Sequence, residues 1–195
     1  MITRKLGQVG ENRPLMRVVS LNVGMPREIA GPGGRVLTGI FKSAVEGRRR
    51  IAGNRIDGDG QADARYHGGA DKAVYAYAGE HYAFWCRELG VPALPPGAFG
   101  ENLTTEGLLE EAVRVGDRFR VATAELVARG PRHPCFKLGL RHGRADIVEM
   151  FKKSGRCGVY FAVAREGEIG AGDAIVPLGG DPAAPTVVEV FRAKR

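Results

Sequence analysis

Gly130-Pro-Arg-His-Pro-Cys-Phe-Lys-Leu138 is the stretch on which the reading of the chain turns. Before it, Phe119, Val121 and Leu126 continue an apolar β pattern. After it comes a short helical stretch. Pro131 and Pro134 hold the residues ahead of them extended. A strand therefore ends here and a helix begins, with Cys135 at the junction among Arg132, His133 and Lys137. A thiol acts as nucleophile or ligand only as the thiolate, which nearby cations and a helix start both favour. The competing reading is an inert, buried apolar cysteine.

Working outward, short β-branched runs separated by glycine dominate, and the 29 glycines point to many turns rather than a helical bundle. Residues 1–15 read as an arm. Strands are expected at 17–23, with Val19, Leu21 and Val23 on one face, and at 36–41, joined by a proline- and glycine-rich connection. Asp57–Asp63 reads as a structured turn, not a calcium loop, because no glutamate stands at its twelfth position. A strand at 73–77 leads into a helix over 79–89 that buries Cys86 and ends at Gly90. Strands are expected at 113–115 and on to residue 128, and a helix over 145–154. A strong strand follows at 158–165, turned back on itself by Glu166-Gly167. Val115-Gly-Asp117 and Ala171-Gly-Asp173 read as the same turn used twice. Residues 177–185 read as a linker, and 186–194 as a helix start with Val187, Val190 and Phe191 on one face. The fold class is mainly β with a few helices.

The 195 residues suit one substantial domain. No run reaches the ~20 apolar residues of a membrane helix. The N-terminus has no signal-peptide core, so a cytoplasmic location is expected. Three cysteines fit a reducing compartment. A net charge of +7 favours anionic partners. Arg48-Arg49-Arg50 allows a basic nucleic-acid-binding module, although a solvated edge strand explains it as simply.

The histidines and cysteines lack zinc-ligand spacing. A Cys–His hydrolase with His67 or His133 as base has no spacing to establish it. Lys72 as a Schiff-base lysine for pyridoxal phosphate has no motif beyond the adjacent glycines. His81 lies off its helix stripe, either on the surface or lining a cleft. Glu101-Asn102 is a polar pair among small residues, read as a turn contact or a ligand contact.

Asp57-Gly-Asp-Gly-Gln-Ala-Asp63, Tyr66-His-Gly-Gly-Ala-Asp-Lys-Ala-Val-Tyr75, Glu80-His-Tyr82 and Trp85 occur in order with Phe99-Gly-Glu-Asn-Leu-Thr-Thr-Glu-Gly107. Pro131-Arg-His-Pro-Cys135 and Gly155-Arg-Cys-Gly-Val-Tyr-Phe161 follow. Together these blocks resemble the MOSC domain, the molybdenum-cofactor sulfurase C-terminal domain, over about residues 18–178. The branch most similar is the YiiM-like one, linked to 6-N-hydroxylaminopurine resistance. The resemblance implies a β-barrel-like fold, with the domain over 16–180. Residues 181–195 would be a linker and the start of a truncated C-terminal helical segment. It implies the molybdenum cofactor (molybdopterin), with Cys135 as catalytic residue and metal ligand. His67, Gly68, Gly69, Asp71, Lys72, Asn102 and Arg132 would line the same cleft. Gly130 stands where relatives often carry glutamine, and Cys157 where threonine or serine is common.

The expected activity is reduction of small N-hydroxylated substrates. The electrons would come from an external flavin or iron–sulfur reductase, since the chain has no cluster-type cysteine spacing and no dinucleotide motif. A non-redox sulfur carrier with a persulfide on Cys135 is the alternative. Oligomeric state stays open.

Overall fold

The computed structural model describes residues 16–62 and 68–194. Among them the chain runs through β1 (Arg17–Val23), β2 (Arg27–Gly31), β3 (Gly34–Thr38), β4 (Ser43–Ala44), β5 (Arg49–Ala52) and β6 (Arg55–Ile56). Then come β7 (Val74–Ala78), α1 (Tyr82–Leu89), β8 (Leu103–Glu106), β9 (Arg118–Val121), β10 (Ala124–Pro131), α2 (Phe136–His142) and α3 (Ile147–Ser154). The last elements are β11 (Val159–Arg165), β12 (Gly167–Ile169), β13 (Ile175–Gly179) and α4 (Val187–Ala193).

Eight strands form one mixed sheet in the order β13-β9-β10-β11-β7-β8-β1-β4, beside a β12-β5-β6 sheet and the β2–β3 hairpin. In the large sheet only β7–β8 is parallel, and α1 lies in the crossover that a parallel pair needs. β7 is buried along its whole length. Its Tyr77 accepts a hydrogen bond from Trp85 Nε1 at 2.6 Å, and its ring stands 4.7 Å from Phe99 and 6.1 Å from Phe151. One aromatic core thus pins α1 and α3 to the central strand. Such ring pairs add roughly 0.5–1.5 kcal/mol each beyond their buried area.

The mainly β reading with a few helices holds. The sheets are open, however, and no closed barrel of strands forms among the described residues. The outer edge of β1 is divided: Arg17 bridges Ala174 near its start, while Asn22 and Val23 pair with β4 near its end. Among the described residues no single strand runs along that edge to close it.

Other expectations shift for local reasons. β1 lies where the pattern places it, but a bulge between Val18 and Ser20 breaks the alternation. Val18 and Leu21 are buried, and Val19 is exposed. The connection at 25–34 contains β2, paired with β3 around Pro32-Gly33, where Gly33 has φ 80°. Residues 113–115 form no strand, and Arg114 makes only a single bridge, to Thr186. After Glu166 the chain pairs with β5 instead of folding back on β11, since Glu166 accepts from Gly53 N at 2.9 Å and pairs with Arg50. β13 runs through Pro177 into the expected linker. It lies at the sheet edge, where a residue without N–H is tolerated.

α4 buries Val187, Val188 and Phe191 in the common core. Val190, expected on the buried face, is only half-buried. Thr186 and Glu189 form a reciprocal capping box at the start of the helix.

Candidate functional site

Cys135 caps α2 with extended backbone (φ −128°, ψ 175°), as the strand–proline–helix reading requires. It is half-buried and in no disulfide. It lines an open cleft of about 90 Å³. Lys42, Lys72, Arg132 and Lys137 line the same cleft, with Asp59 as its one carboxylate among the described residues. His133 lines it too, stacked at 5.2 Å on Phe191 of α4. Burial, then Lys194 and Lys72, push the His133 pKa down, so the ring favours its neutral form.

Arg132 is buried, with its guanidinium 5.0 Å from the Tyr75 ring centre, and it donates to Phe99 O. Burial opposes its charge, but Tyr75, Tyr160 and Cys135 offset this and its pKa is raised overall. Burial raises the phenol pKa values of Tyr75 and Tyr160, which also line the cleft. Arg132 is therefore a permanent positive charge beside Cys135.

Asn102 lines the cleft, yet its side chain is committed to protein. Its Oδ1 accepts from Tyr75 N at 3.1 Å, and its Nδ2 donates to Asp59 Oδ2 at 2.9 Å. Asn102 thus builds the floor. Glu101, beside it, is buried and accepts from Gly97 N, Phe99 N, Thr104 Oγ1 and Tyr82 OH. It shapes the 97–101 loop.

Lys72 stands 6.0 Å from the Tyr160 ring at the cleft side. Gly69 N donates to Gln61 Oε1 at 3.1 Å, so this amide is held by protein. Neither Gly68 nor Gly69 is among the lining residues. Asp71 pairs with Arg129 at 2.7 Å and borders a shallow neighbouring cavity. His67 lies outside the described residues. The structure thus gathers Cys135, Lys72, Asn102 and Arg132, and places Gly68, Gly69 and Asp71 off the lining.

Lys42 was not singled out by sequence. It is almost wholly buried and pairs with Asp59. Asp59 also accepts from Gly24 N at 2.9 Å. The available signal was a lysine two residues after a β-branched apolar residue, which is weak.

Other groups lie away from the cleft. Cys157 is in the core, where burial pushes its thiol pKa up. Cys86 is half-buried on α1. His81 is buried against Glu110 at 2.8 Å. Arg48 and Arg50 pair with Asp173 and Glu166. No group of three or more His, Cys, Asp or Glu able to hold a metal ion exists among the described residues. A metal at Cys135 would bring its remaining ligands with a carrier. A soft thiol among several cations suits an anionic, metal-bearing cofactor.

No helix among the described residues is long and apolar enough to cross a membrane. The chain is 43% identical over 155 residues to the uncharacterized protein YflK of Bacillus subtilis strain 168, covering 80% of this chain and 70% of YflK. It is 34% identical over 148 residues to a protein of Gibberella moniliformis named "Reductase", covering 73% of this chain and 26% of that protein. The crystal structure of YiiM from Geobacillus stearothermophilus matches with a TM-score of 0.75 at 31% identity, covering 92% of this chain and 83% of that one. The MOSC domain profile matches residues 63–176, more than half of the sequence, and the chain belongs to the MOSC domain family as a YiiM-like member.

Proposed function

We propose that the chain binds the molybdenum cofactor in this cleft, with Cys135 as the metal ligand, and reduces small N-hydroxylated compounds. The observation that carries this reading is the shared lining. A half-buried thiol faces the same space as four basic side chains and one carboxylate. MOSC membership and the fungal relative named "Reductase" support it. Arg132 and Lys72 would neutralise the pterin phosphate, and Lys137 would add to the field. The bound cofactor supplies two-electron removal of oxygen from the substrate nitrogen. The Asn102–Asp59 floor keeps the cleft's shape. Electrons come from a separate flavin or iron–sulfur reductase.

Elemental analysis of protein made in a cofactor-competent host tests this. Near-stoichiometric molybdenum in the wild type, lost in Cys135→Ala, is the expected result. Equal molybdenum in both forms would overturn it. Intact-mass analysis showing one added sulfur on Cys135 and no metal would instead favour a sulfur carrier.

A further inference from the structure

We propose that Lys42 is the proton donor of the cleft, with Asp59 and Asn102 as the residues that position it. The inference rests on the proposed reductase function and adds to it a residue that touches the reacting atoms.

An ammonium carries three N–H donors. Lys42 is 8% exposed, and among the described residues its one hydrogen-bond acceptor is Asp59. Leaving buried donors of a charged group unmade is costly, so the other two need partners. The space open to them is the cleft that Lys42 lines together with Cys135. Asp59 is held on both oxygens: Gly24 N binds the one that meets Lys42, and Asn102 Nδ2 binds the other. Asn102 is in turn tied to Tyr75 through its Oδ1 and through its backbone N at 2.8 Å to Tyr75 O. The ammonium is therefore anchored at one point by a rigid support, with its remaining donors unspent.

Several charged groups act on it: Asp59 and Glu101 favour the ammonium, while Arg132 opposes it. Burial outweighs them and lowers the Lys42 pKa, which makes it a better acid than an ordinary lysine. Arg132 cannot release its proton.

The N–O bond of R–NH–OH breaks. The hydroxyl oxygen takes the Lys42 proton and leaves as water. The nitrogen takes a second proton from solvent. The bound cofactor would supply the two electrons, drawn from the reductase. Neutral Lys42 is reprotonated from water in the cleft.

Lys42→Arg and Lys42→Met test the proposal in cofactor-loaded protein, with molybdenum content, reduction rate against pH, and Lys42 Nζ titration by NMR of 15N-lysine-labelled cofactor-free protein. The wild-type rate is expected to fall as pH rises through the Lys42 pKa. Both variants should keep their molybdenum, lose about 10²-fold in rate and lose that basic limb. The Nζ signal should titrate below the ordinary lysine value of about 10.4. Wild-type rate and pH profile in Lys42→Met overturn the proposal, as does an Nζ titrating in the ordinary range. Loss of molybdenum in Lys42→Met would make Lys42 a cofactor anchor and also overturn it. A wild type without molybdenum refutes the cofactor reading itself, and the Nζ titration then still decides whether Lys42 is the lowered acid required here.

Discussion

At the scale of single residues, burial sets the chemistry more than charge count does. His142 Nε2 donates to Ala98 O at 3.0 Å, and burial, the largest influence, lowers its pKa to about 4. A base with a depressed folded pKa stabilises the fold above its unfolded value and loses that contribution as pH falls. Stability should therefore decline between about pH 6.5 and about pH 4. His133 acts in the same direction. Glu101, whose carboxyl pKa is raised by burial, acts in the opposite one. After allowance for partial exposure, the His142 share is roughly 1–2 kcal/mol. Urea unfolding from pH 6.5 to 4.5 should show a shallower decline in His142→Gln than in the wild type, and identical slopes would refute the assignment. Residue types in the sequence revealed Cys135 and Arg132 because clustered charge beside a thiol is visible in one dimension, whereas Lys72 came only through the family resemblance. Lys42 and Asp59 lie 17 positions apart, and their pairing appears only when two loops meet.

At the scale of elements, one turn is used twice. Asp117 Oδ2 accepts from Arg114 N at 2.8 Å, and Asp173 Oδ2 accepts from Gly170 N at 2.8 Å. The glycine before each aspartate has positive φ, 94° at Gly116 and 88° at Gly172. The two turns launch β9 and β13, which pair with each other. This device was legible because glycine and aspartate signal such turns locally. The bulge in β1 and the partner of β12 were not, since both depend on a distant strand. The C-terminal helix shows the same divide. Its apolar spacing was readable, but its docking against β10 and His133 was not. Thr186→Ala removes one half of its capping box and should cost about 1 kcal/mol. Chemical denaturation measures this, and an unchanged midpoint would show the cap to be idle.

At the scale of the whole molecule, the described parts of the family blocks fall on several elements, with Val74 and Tyr75 on β7, Trp85 on α1, Leu103–Glu106 on β8 and Val159, Tyr160 and Phe161 on β11. Order along the chain was enough to name the family, while the open sheet edge required coordinates. The cleft itself draws its lining from Thr38–Lys42, Asp59–Ala62, Lys72–Tyr75, Gly100–Asn102, Arg132–Lys137 and Tyr160. These segments span more than 120 positions, so no early folding nucleus of local contacts contains the site. A ligand that needs all of them recognises only the finished protein. It adds stability through the native state alone. Its kinetic signature should be one-sided, with slower unfolding in stopped-flow dilution and an unaltered refolding rate. Loading must therefore follow folding, and any helper that delivers a cofactor to this chain would meet it already folded.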